Sequence, residues 1–378
     1  TCCCDTQSIV NPHIDRMHLP ALALVVCSTA WAAEPNPPVW PSSVSVFGPD
    51  DDPDTVQAVI DAAFATNGGH DPVPNNGEYS SERYAFLFKP GSYAVDVPVG
   101  FYTSVYGLGD TPGDVVFNGA KGVYCEEGDY DFTVGSLDTF WRSAENFRNE
   151  AAFSWWNGAS SGMLWAVSQA APLRRVDVAS DLLLFQYTYG DAAGFASGGY
   201  LGNSRVAGAV QSGSQQQWLS RSVEMGGGFP QGVWNMVFVG CTGNPDAHCG
   251  EGGDQAPYVV VDTLPTAFAE KPFVTLDVDS ERYFLTVPAV RAAGRTGTDW
   301  ATAAASPHSA VPNSPKASTG AASTGDDLKV PFEEVYVASN ASDTSGSINA
   351  KLSQGLHVVL SPGVYRLEGA LLLNTENQ

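Results

Sequence analysis

The spacing of apolar residues around residue 60 predicts a short amphipathic helix. The apolar face follows the i, i+3, i+4, i+7, i+8 rule of a helix and consists of Val56, Val59, Ile60, Ala63 and Phe64. We expect Asp54 or Thr55 to cap the first turn, because their side chains accept hydrogen bonds from free backbone N–H groups. The Asn-Gly-Gly run at 67–69 should end the helix, because glycine readily adopts the left-handed conformation that follows a last turn.

After this helix, apolar residues occur in short runs that Gly, Asn, Asp and Ser interrupt. Such runs are typical of short β-strands joined by turns. The predicted strands are 104–108, 115–117, 163–167, 181–186, 217–219, 234–239, 258–261, 273–276 and 283–287. Their irregular spacing suits the rungs of a β-solenoid with variable loops. A β-sandwich also has short strands with frequent turns, so this pattern alone leaves both architectures open.

A repeated order of features favours the solenoid. In two segments, 46–97 and 336–373, an apolar start and a helical stretch lead to an apolar strand and a Pro-Gly-x-Tyr turn. The turns are Pro90-Gly91-Ser92-Tyr93 and Pro362-Gly363-Val364-Tyr365. A short helix before a strand can cover the open end of a β-solenoid, whose exposed edge would otherwise pair with other chains. We therefore predict an all-β, parallel solenoid fold with a short N-terminal capping helix.

The repeat also divides the chain into domains. We expect a first solenoid at 44–290, a linker rich in Ala, Ser, Thr, Gly and Pro at 291–328, and the start of a second solenoid at 333–378. A single rung cannot bury its own apolar face. We therefore expect the second solenoid to be truncated, so that the first lacks its partner from the same chain.

The pattern of residues 1–32 indicates a leader sequence followed by a secretory signal peptide. Met17 precedes the apolar run 19–27, and Ala30-Trp31-Ala32 has the small-x-small pattern of a cleavage site. The run is too short to span a bilayer. We interpret Met17 as the start of the signal peptide and predict a secreted protein. The alternative is a buried N-terminal segment.

Charge narrows the choice of partner. The 378 residues include 18 basic and 41 acidic residues, and the net charge is −23. Nucleic acids and anionic membranes require a basic surface, so this balance argues against both. It also makes a polyanionic substrate less suitable than a neutral one.

Several segments resemble known families. The helix, followed by FLFKPGSYAVDVPV (86–99) and GLGDTPGDVVFNG (107–119), resembles the opening of pectate-lyase-like, right-handed parallel β-helix proteins. Two such openings in one chain resemble the tandem β-helix exo-β-1,3-glucanases of glycoside hydrolase family 55, and GSQQQWLSR (213–221) is similar to their Gln-Gln-aromatic-x-x-Arg segment. Segments 140–147, 165–175, 212–221 and 234–240 are similar to secreted β-helix proteins labelled by a discoidin-type (factor 5/8-like) domain.

The resemblance implies a right-handed parallel β-helix and the beginning of a second, tandem β-helix. In the glucanases the active site lies between the two β-helices, and the second β-helix supplies the catalytic acid. The resemblance therefore implies a polysaccharide substrate and a catalytic acid beyond Gln378.

Two carboxylates are candidates for catalysis by this chain. Glycoside hydrolysis needs a carboxylic acid for the leaving oxygen and usually a second carboxylate as base or nucleophile. Glu145 follows Trp141 and Arg142, while Glu224 follows the Gln triplet and Arg221. For each glutamate the alternative is an Arg–Glu pair that braces a rung.

The candidate sugar-binding residues surround these carboxylates. They are Trp141, Arg142, Gln215, Gln216, Gln217, Trp218 and Arg221. Tryptophan rings can stack on sugars, and amides can bind hydroxyl groups. The three glutamines alternate faces on a strand, so they cannot all point the same way. Inward glutamines would form a polar ladder, and both interpretations stay open.

Two cysteines bracket a turn-rich loop and predict a disulfide. Cys241 and Cys249 flank TGNPDAH, and an oxidising compartment would favour their pairing. Metal binding by these cysteines and His248 is the weaker interpretation, because no second ligand pair has zinc spacing. We predict neither a metal nor a cofactor.

These observations predict a secreted glycoside hydrolase that acts on a neutral β-glucan-like polymer. The first alternative is a polysaccharide lyase, which would abstract a proton with Lys or Arg beside a Ca²⁺-bound uronate. The second is a non-catalytic, glycan-binding or structural β-solenoid.

Overall fold

The computed structural model describes residues 33–68, 77–126, 135–155, 158, 160–187, 193–230, 235–250, 257–300 and 327–373. Within these ranges the chain is mostly β and has two α-helices, Pro53–Asn67 (α1) and Ser345–Leu352 (α2). None of the helices in these ranges is long and apolar enough to cross a membrane. The predicted leader at 1–32 lies outside the described residues.

The strands of the described residues are short. In chain order they are Val44–Phe47 (β1), Tyr84–Phe88 (β2), Gly91–Tyr93 (β3), Val97–Pro98 (β4), Thr103–Gly107 (β5), Val115–Phe117 (β6), Val123–Tyr124 (β7), Ser143–Asn149 (β8), Ser154–Trp155 (β9), Ser160–Ser161 (β10), Met163–Leu164 (β11), Pro172–Val178 (β12), Leu182–Leu183 (β13), Tyr200–Val206 (β14), Val210–Gln211 (β15), Gln217–Met225 (β16), Asn235–Val239 (β17), Tyr258–Val261 (β18), Phe273–Asp277 (β19), Arg282–Val287 (β20), Leu328–Pro331 (β21), Val335–Ala338 (β22) and His357–Leu360 (β23).

Parallel pairing organises the molecule. The main sheet has the order β1-β2-β5-β8-β12-β14-β16-β17-β18, with β3 and β6 attached beside β8. Further parallel pairs are β4–β7 and β11–β13–β15, and a bridge from Cys125 to Trp165 connects the two groups. Inward apolar side chains of both sets share one core, which includes Phe86, Val105 and Met163. The predictions of a mostly β fold and of a parallel sheet are confirmed. The strands predicted at 273–276 and 283–287 instead belong to β19 and β20, which pair antiparallel with each other, and β20 pairs antiparallel with β21.

Four neighbouring strands of the main sheet bend at the same position. The registers of β8, β12, β14 and β16 align four residues with left-handed backbone, at φ 61°, 48°, 49° and 57°: Asn146, Arg175, Asn203 and Ser222. Before this position β8 pairs with β5, and after it β8 pairs with β6. We call the aligned residues the bend line. They divide each strand into two halves, and in β8 the two halves have different neighbours.

A second line of left-handed residues marks the beginning of these strands. It consists of Tyr102, Trp141, Ala170 and Gly198, with φ of 54°, 49°, 47° and 97°. The strand registers place the four at equivalent positions in successive strands. We call them the entry line. Between the entry line and the bend line lies a short stretch of sheet whose outer face we call the outer strip.

The two Pro-Gly-x-Tyr segments have the same geometry. Each contains a parallel pair, β1–β2 in the first and β22–β23 in the second. The Tyr93 hydroxyl donates to the carbonyl oxygens of Phe47 and Lys89, at 3.1 and 2.7 Å. The Tyr365 hydroxyl contacts the carbonyl oxygens of Ala338 and Ser361, at 2.8 and 3.1 Å. Each tyrosine therefore ties its turn to the ends of both strands.

The first helix differs from its predicted form at the cap. Asp52, rather than Asp54 or Thr55, accepts the backbone N–H of Thr55, at 3.1 Å. The helix begins at Pro53, whose missing N–H costs nothing in a first turn. Val59 is 39% exposed, so the buried face of the helix is narrower than its apolar pattern predicts.

The start of the predicted linker packs against the main sheet. The Asp299 carboxylate lies 3.8 Å from the Arg175 guanidinium and 3.7 Å from that of Arg291. The Trp300 indole N–H donates to the carbonyl of Asn203, at 2.7 Å. This segment therefore covers the bend line, while 301–326 of the predicted linker lie outside the described residues.

The left-handed backbone of the bend line predicts how a substitution at Ser222 changes the stability of the protein. A left-handed conformation costs a non-glycine residue about 1–2 kcal/mol, and the buried Ser222 hydroxyl has no hydrogen-bond partner in the described residues. Ser222→Gly should therefore raise the free energy of unfolding by about 0.5–1 kcal/mol, measured by urea denaturation.

Ser220 is the matched control. Its hydroxyl is also buried without a partner among the described residues, and it lies in the same strand without a positive φ. Ser220→Gly should lower the free energy of unfolding by about 0.5–1 kcal/mol. Destabilisation of both variants would contradict the strain at the bend line.

Candidate functional site

The outer strip carries a row of large polar side chains. Tyr106 pairs with Glu145, Glu145 with Arg174, Arg174 with Gly202, and Gly202 with Arg221. Parallel strands in register place these residues side by side at about 4.8 Å per step. The strip therefore displays a phenol, a carboxylate and two guanidinium groups in one line.

A groove opens where β12, β14 and β16 begin. It has a volume of about 430 Å³, and its polar walls are Gln169, Arg174, Tyr200 and Gln217. The floor contains small residues, among them Ala170 and Gly198. The Arg174 guanidinium carbon lies 4.4 Å from the centre of the Tyr200 ring. The residues that line the groove include no acidic side chain.

A strap, residues 268–277, crosses the outer strip beside the groove. Glu270 holds Arg221 in two hydrogen bonds, at 2.9 and 2.6 Å. Lys271 donates to both carboxylate oxygens of Glu145, at 3.0 and 2.9 Å. Ion pairs at two separate strands therefore fix the strap to the sheet.

Glu145 lies under this strap. It is 4% exposed, and the ammonium group of Lys271 donates to both of its carboxylate oxygens. It borders a second cavity of about 390 Å³, which is lined largely by apolar and aromatic residues such as Trp40, Tyr106 and Phe273. The sequence predicts Glu145 as catalytic, but the structure places it as a brace that does not line the groove.

Glu224 lies on the other side of the bend line. Its carboxylate accepts hydrogen bonds from Arg205 Nε at 3.1 Å and from the Thr298 hydroxyl at 2.8 Å. Three strand steps alone separate Glu145 from Glu224 by at least about 14 Å, whereas paired glycosidase carboxylates lie about 5–9.5 Å apart. The structure therefore does not bring the two predicted catalytic residues together.

The glutamine triplet divides between the interior and the surface. Gln215 is fully buried: its amide donates to the carbonyls of Val167 and Leu184, at 2.9 and 2.6 Å, and its oxygen accepts the N–H of Gly198. The sequence predicts Gln215 as a sugar-binding residue, but the structure places it among internal backbone groups, which use all of these hydrogen bonds. Gln217 is exposed in the groove, as a sugar-binding residue should be.

The two neighbours of Gln217 are less exposed than Gln217 itself. Gln216 is half-buried, and its backbone N–H donates to Ala196. The sequence predicts Trp218 as a sugar-binding residue, but the structure places it in the core rather than in the groove. The inward position follows from strand periodicity, which sends it to the face opposite Gln217.

The two predicted arginines are occupied by protein groups. Arg142 is buried, and its Nη1 donates to the carbonyl of Val99 at 2.6 Å, so it cannot reach a substrate. Arg221 donates through Nε to the Tyr200 hydroxyl at 3.0 Å, in addition to its bonds with Glu270. Burial alone would lower the pKa of Arg221, but the hydrogen bonds and charge of Glu270 raise the pKa above its usual value.

The predicted disulfide is absent. Cys241 and Cys249 are both free thiols. The Cys241 Sγ is buried and lies 3.4 Å from the carbonyl oxygen of Ser220, whereas Cys249 is exposed. Burial raises the pKa of Cys241 to about 11. In the described part of the chain, no cluster of three or more His, Cys, Asp or Glu residues could hold a metal ion.

Sequence reasoning missed three of the groove residues. Gln169, Arg174 and Tyr200 were not candidates, because no apolar run marks β12 or β14. Their position relative to Gln217 follows only from the strand registers. Once those registers are known, a shared feature is visible: Gln169 precedes β12, and Arg174 and Tyr200 lie in the first halves of β12 and β14.

Comparison with known proteins gives one consistent result. No family model matches the chain. It is 36% identical over 336 residues to a protein named Exo-beta-1,3-glucanase from Streptomyces sp. (strain SirexAA-E / ActE), which corresponds to 89% of this chain and 47% of that protein.

Two solved structures have a similar fold. One is sacteLam55A from Streptomyces sp. SirexAA-E, with a TM-score of 0.68 and 34% identity. The other is a variant of sacteLam55A in complex with glucose, with a TM-score of 0.69 and 34% identity. Each match covers 89% of this chain and 51% of the solved chain. In sequence and in fold, the chain is therefore similar to about half the length of an exo-β-1,3-glucanase.

Proposed function

We propose that this protein is a glycoside hydrolase that acts on a neutral β-1,3-glucan. The observation that carries the proposal is the 36% identity over 336 residues with an exo-β-1,3-glucanase. The chain spans about half of that relative, so the proposal applies to the whole protein to which this chain contributes one part.

The groove supports a neutral sugar as the substrate. Its walls offer the amides of Gln169 and Gln217 and the hydroxyl of Tyr200, all of which can hydrogen-bond to sugar hydroxyl groups. Tyr200 also offers an aromatic ring, on whose face a sugar can pack. Arg174 is the one charged residue among the described residues that line the groove.

The same proposal extends to the fold and to the catalytic acid. The parallel ladders and the aligned bends support a right-handed β-helix, because parallel crossover connections are almost always right-handed. The repeated tyrosine geometry supports a second, tandem β-helix. Since the described residues that line the groove are not acidic, the proposed acid comes from that second unit.

The predicted signal peptide supports secretion of the protein. A secreted protein would encounter a polymeric glucan outside the cell. The resemblance to β-helix proteins with a discoidin-type domain stays a prediction.

Hydrolysis of laminarin tests the proposed activity. The full-length protein should release reducing sugar from laminarin and other neutral β-1,3-glucans, measured by a colorimetric reducing-end assay. No release from any member of a panel of neutral glucans would overturn the proposal. Product absorbance from a new C=C bond would indicate the lyase alternative, and binding without turnover would indicate the non-catalytic alternative.

The glutamine triplet provides a matched pair of variants. Gln217→Ala should lower kcat/KM on laminarin at least about tenfold and leave the melting temperature unchanged, because the side chain is exposed in the groove. Gln215→Ala should lower the free energy of unfolding by about 2–3 kcal/mol, because it leaves three buried backbone groups without a partner. Equal stability losses in the two variants would contradict this division of roles.

Glu145→Gln tests whether this buried carboxylate takes part in the chemistry. As a brace for the strap, Glu145 should contribute about 1–2 kcal/mol of stability, and kcat should remain within about threefold of the wild type. Lys271→Met should produce a larger loss of stability, because it leaves the Glu145 carboxylate buried without its partner. A loss of about 10²-fold or more in kcat for Glu145→Gln alone would instead indicate general acid–base catalysis.

A further inference from the structure

An exposed aromatic stack stands at one end of the entry line. The Trp141 and Tyr102 ring centres are 5.4 Å apart, and the ring planes differ by 9°. The Arg83 guanidinium carbon lies 3.5 Å from the centre of the Tyr102 ring, which leaves the other ring face for Trp141. Trp141 is 43% exposed and forms the outer layer of the stack.

The protein holds this stack rigidly and at a conformational cost. Tyr102 and Trp141 both have left-handed backbone, which is uncommon for large aromatic residues. The backbone N–H of Tyr102 donates to the carbonyl of Trp141 at 2.6 Å, and the Tyr102 hydroxyl donates to the carbonyl of Glu78 at 2.8 Å. Arg83 donates to the carbonyls of Ser80 and Glu82. An aromatic face is therefore fixed toward solvent.

The stack is continuous with the groove. The strand registers place Trp141, Ala170, Gly198 and Gln217 at one position in successive strands. Three steps of about 4.8 Å separate Trp141 from Gln217 by about 14 Å. The two positions between them are occupied by small residues that belong to the groove floor. The entry line between Gln217 and Trp141 therefore carries no large side chain, although Gln169, Arg174 and Tyr200 line the groove beside it.

We propose that Trp141, supported by Tyr102 and Arg83, is a distal binding platform for a sugar ring of a glucan chain whose other end occupies the groove at Gln217. This inference rests on the proposed function for the identity of the sugar. The apolar face of a pyranose ring packs on the exposed indole, and the stacked tyrosine keeps that indole from turning away. The platform binds long chains and contributes nothing to the binding of a disaccharide held at Gln217.

The test measures binding against chain length in the full-length protein. Trp141→Gly also relieves the left-handed strain, so the variant should fold. By isothermal titration calorimetry, it should raise the Kd for a β-1,3-linked glucose heptasaccharide about tenfold and leave the Kd for the disaccharide unchanged. Trp141→Phe should keep the Kd for the heptasaccharide within about threefold of the wild type. Tyr79→Ala, at another exposed aromatic residue, should change neither value.

Each outcome separates the platform from the proposed activity. An unchanged heptasaccharide Kd in Trp141→Gly, or equal losses for the long and short ligands, overturns the platform even where the wild type hydrolyses laminarin. A Trp141-dependent heptasaccharide Kd in a protein without hydrolytic activity supports the platform and overturns the proposed hydrolase. A wild type that binds neither ligand overturns both.

Discussion

The aligned left-handed residues of the bend line control the arrangement of everything on the outer face. In a regular extended strand, Glu145 and Arg148, or Arg221 and Glu224, would lie on opposite faces, because the members of each pair are three residues apart. The bend at Asn146 and at Ser222 shifts this alternation, so that both members of each pair lie outside the apolar core, where Glu224 pairs with Arg205 and Glu145 pairs with Lys271 of the strap. A repeated local conformation, which costs about 1–2 kcal/mol at each non-glycine residue, therefore decides which charged groups share a surface. The entry line then marks where the groove begins.

The sequence predicted the framework of the molecule better than the outer strip. Strands at 115–117 and 258–261 and the start of α1 near residue 54 were recognised because their inward residues are apolar and their ends carry turn residues. The central strands β8, β12 and β14 were missed. SAENFRN, PLRRVDV and YLGNSRV contain no apolar run, since polar residues occupy the outer strip and the bend line. Hydrophobic periodicity is weakest where the strand both bends and carries function.

The positions of the candidate site residues could not be predicted for a related reason. A motif identifies residue types, but the face on which each residue lies depends on the register of the strand. Gln215 and Trp218 point inward, whereas Gln217 points into the groove, although all belong to one short segment. Arg142 lies beside Trp141 in sequence, yet only the tryptophan reaches solvent. Strand alternation would place Gln215 and Gln217 on one face, but β16 begins only at Gln217, and the backbone before it turns Gln215 inward.

The net charge of −23 says less about the substrate than the local pairing of charges does. On and beside the outer strip, Lys271 neutralises Glu145, Arg221 neutralises Glu270 and Arg205 neutralises Glu224. These pairs hold the strap and the segment at 297–300 in place. Their charges are therefore neutralised by neighbouring protein groups and do not face the groove. What the groove presents is amides, a phenol and one guanidinium that lies over an aromatic ring. A surface of this kind recognises hydroxyl groups and ring faces, and that is why we infer a neutral sugar from the groove rather than from the composition of the chain.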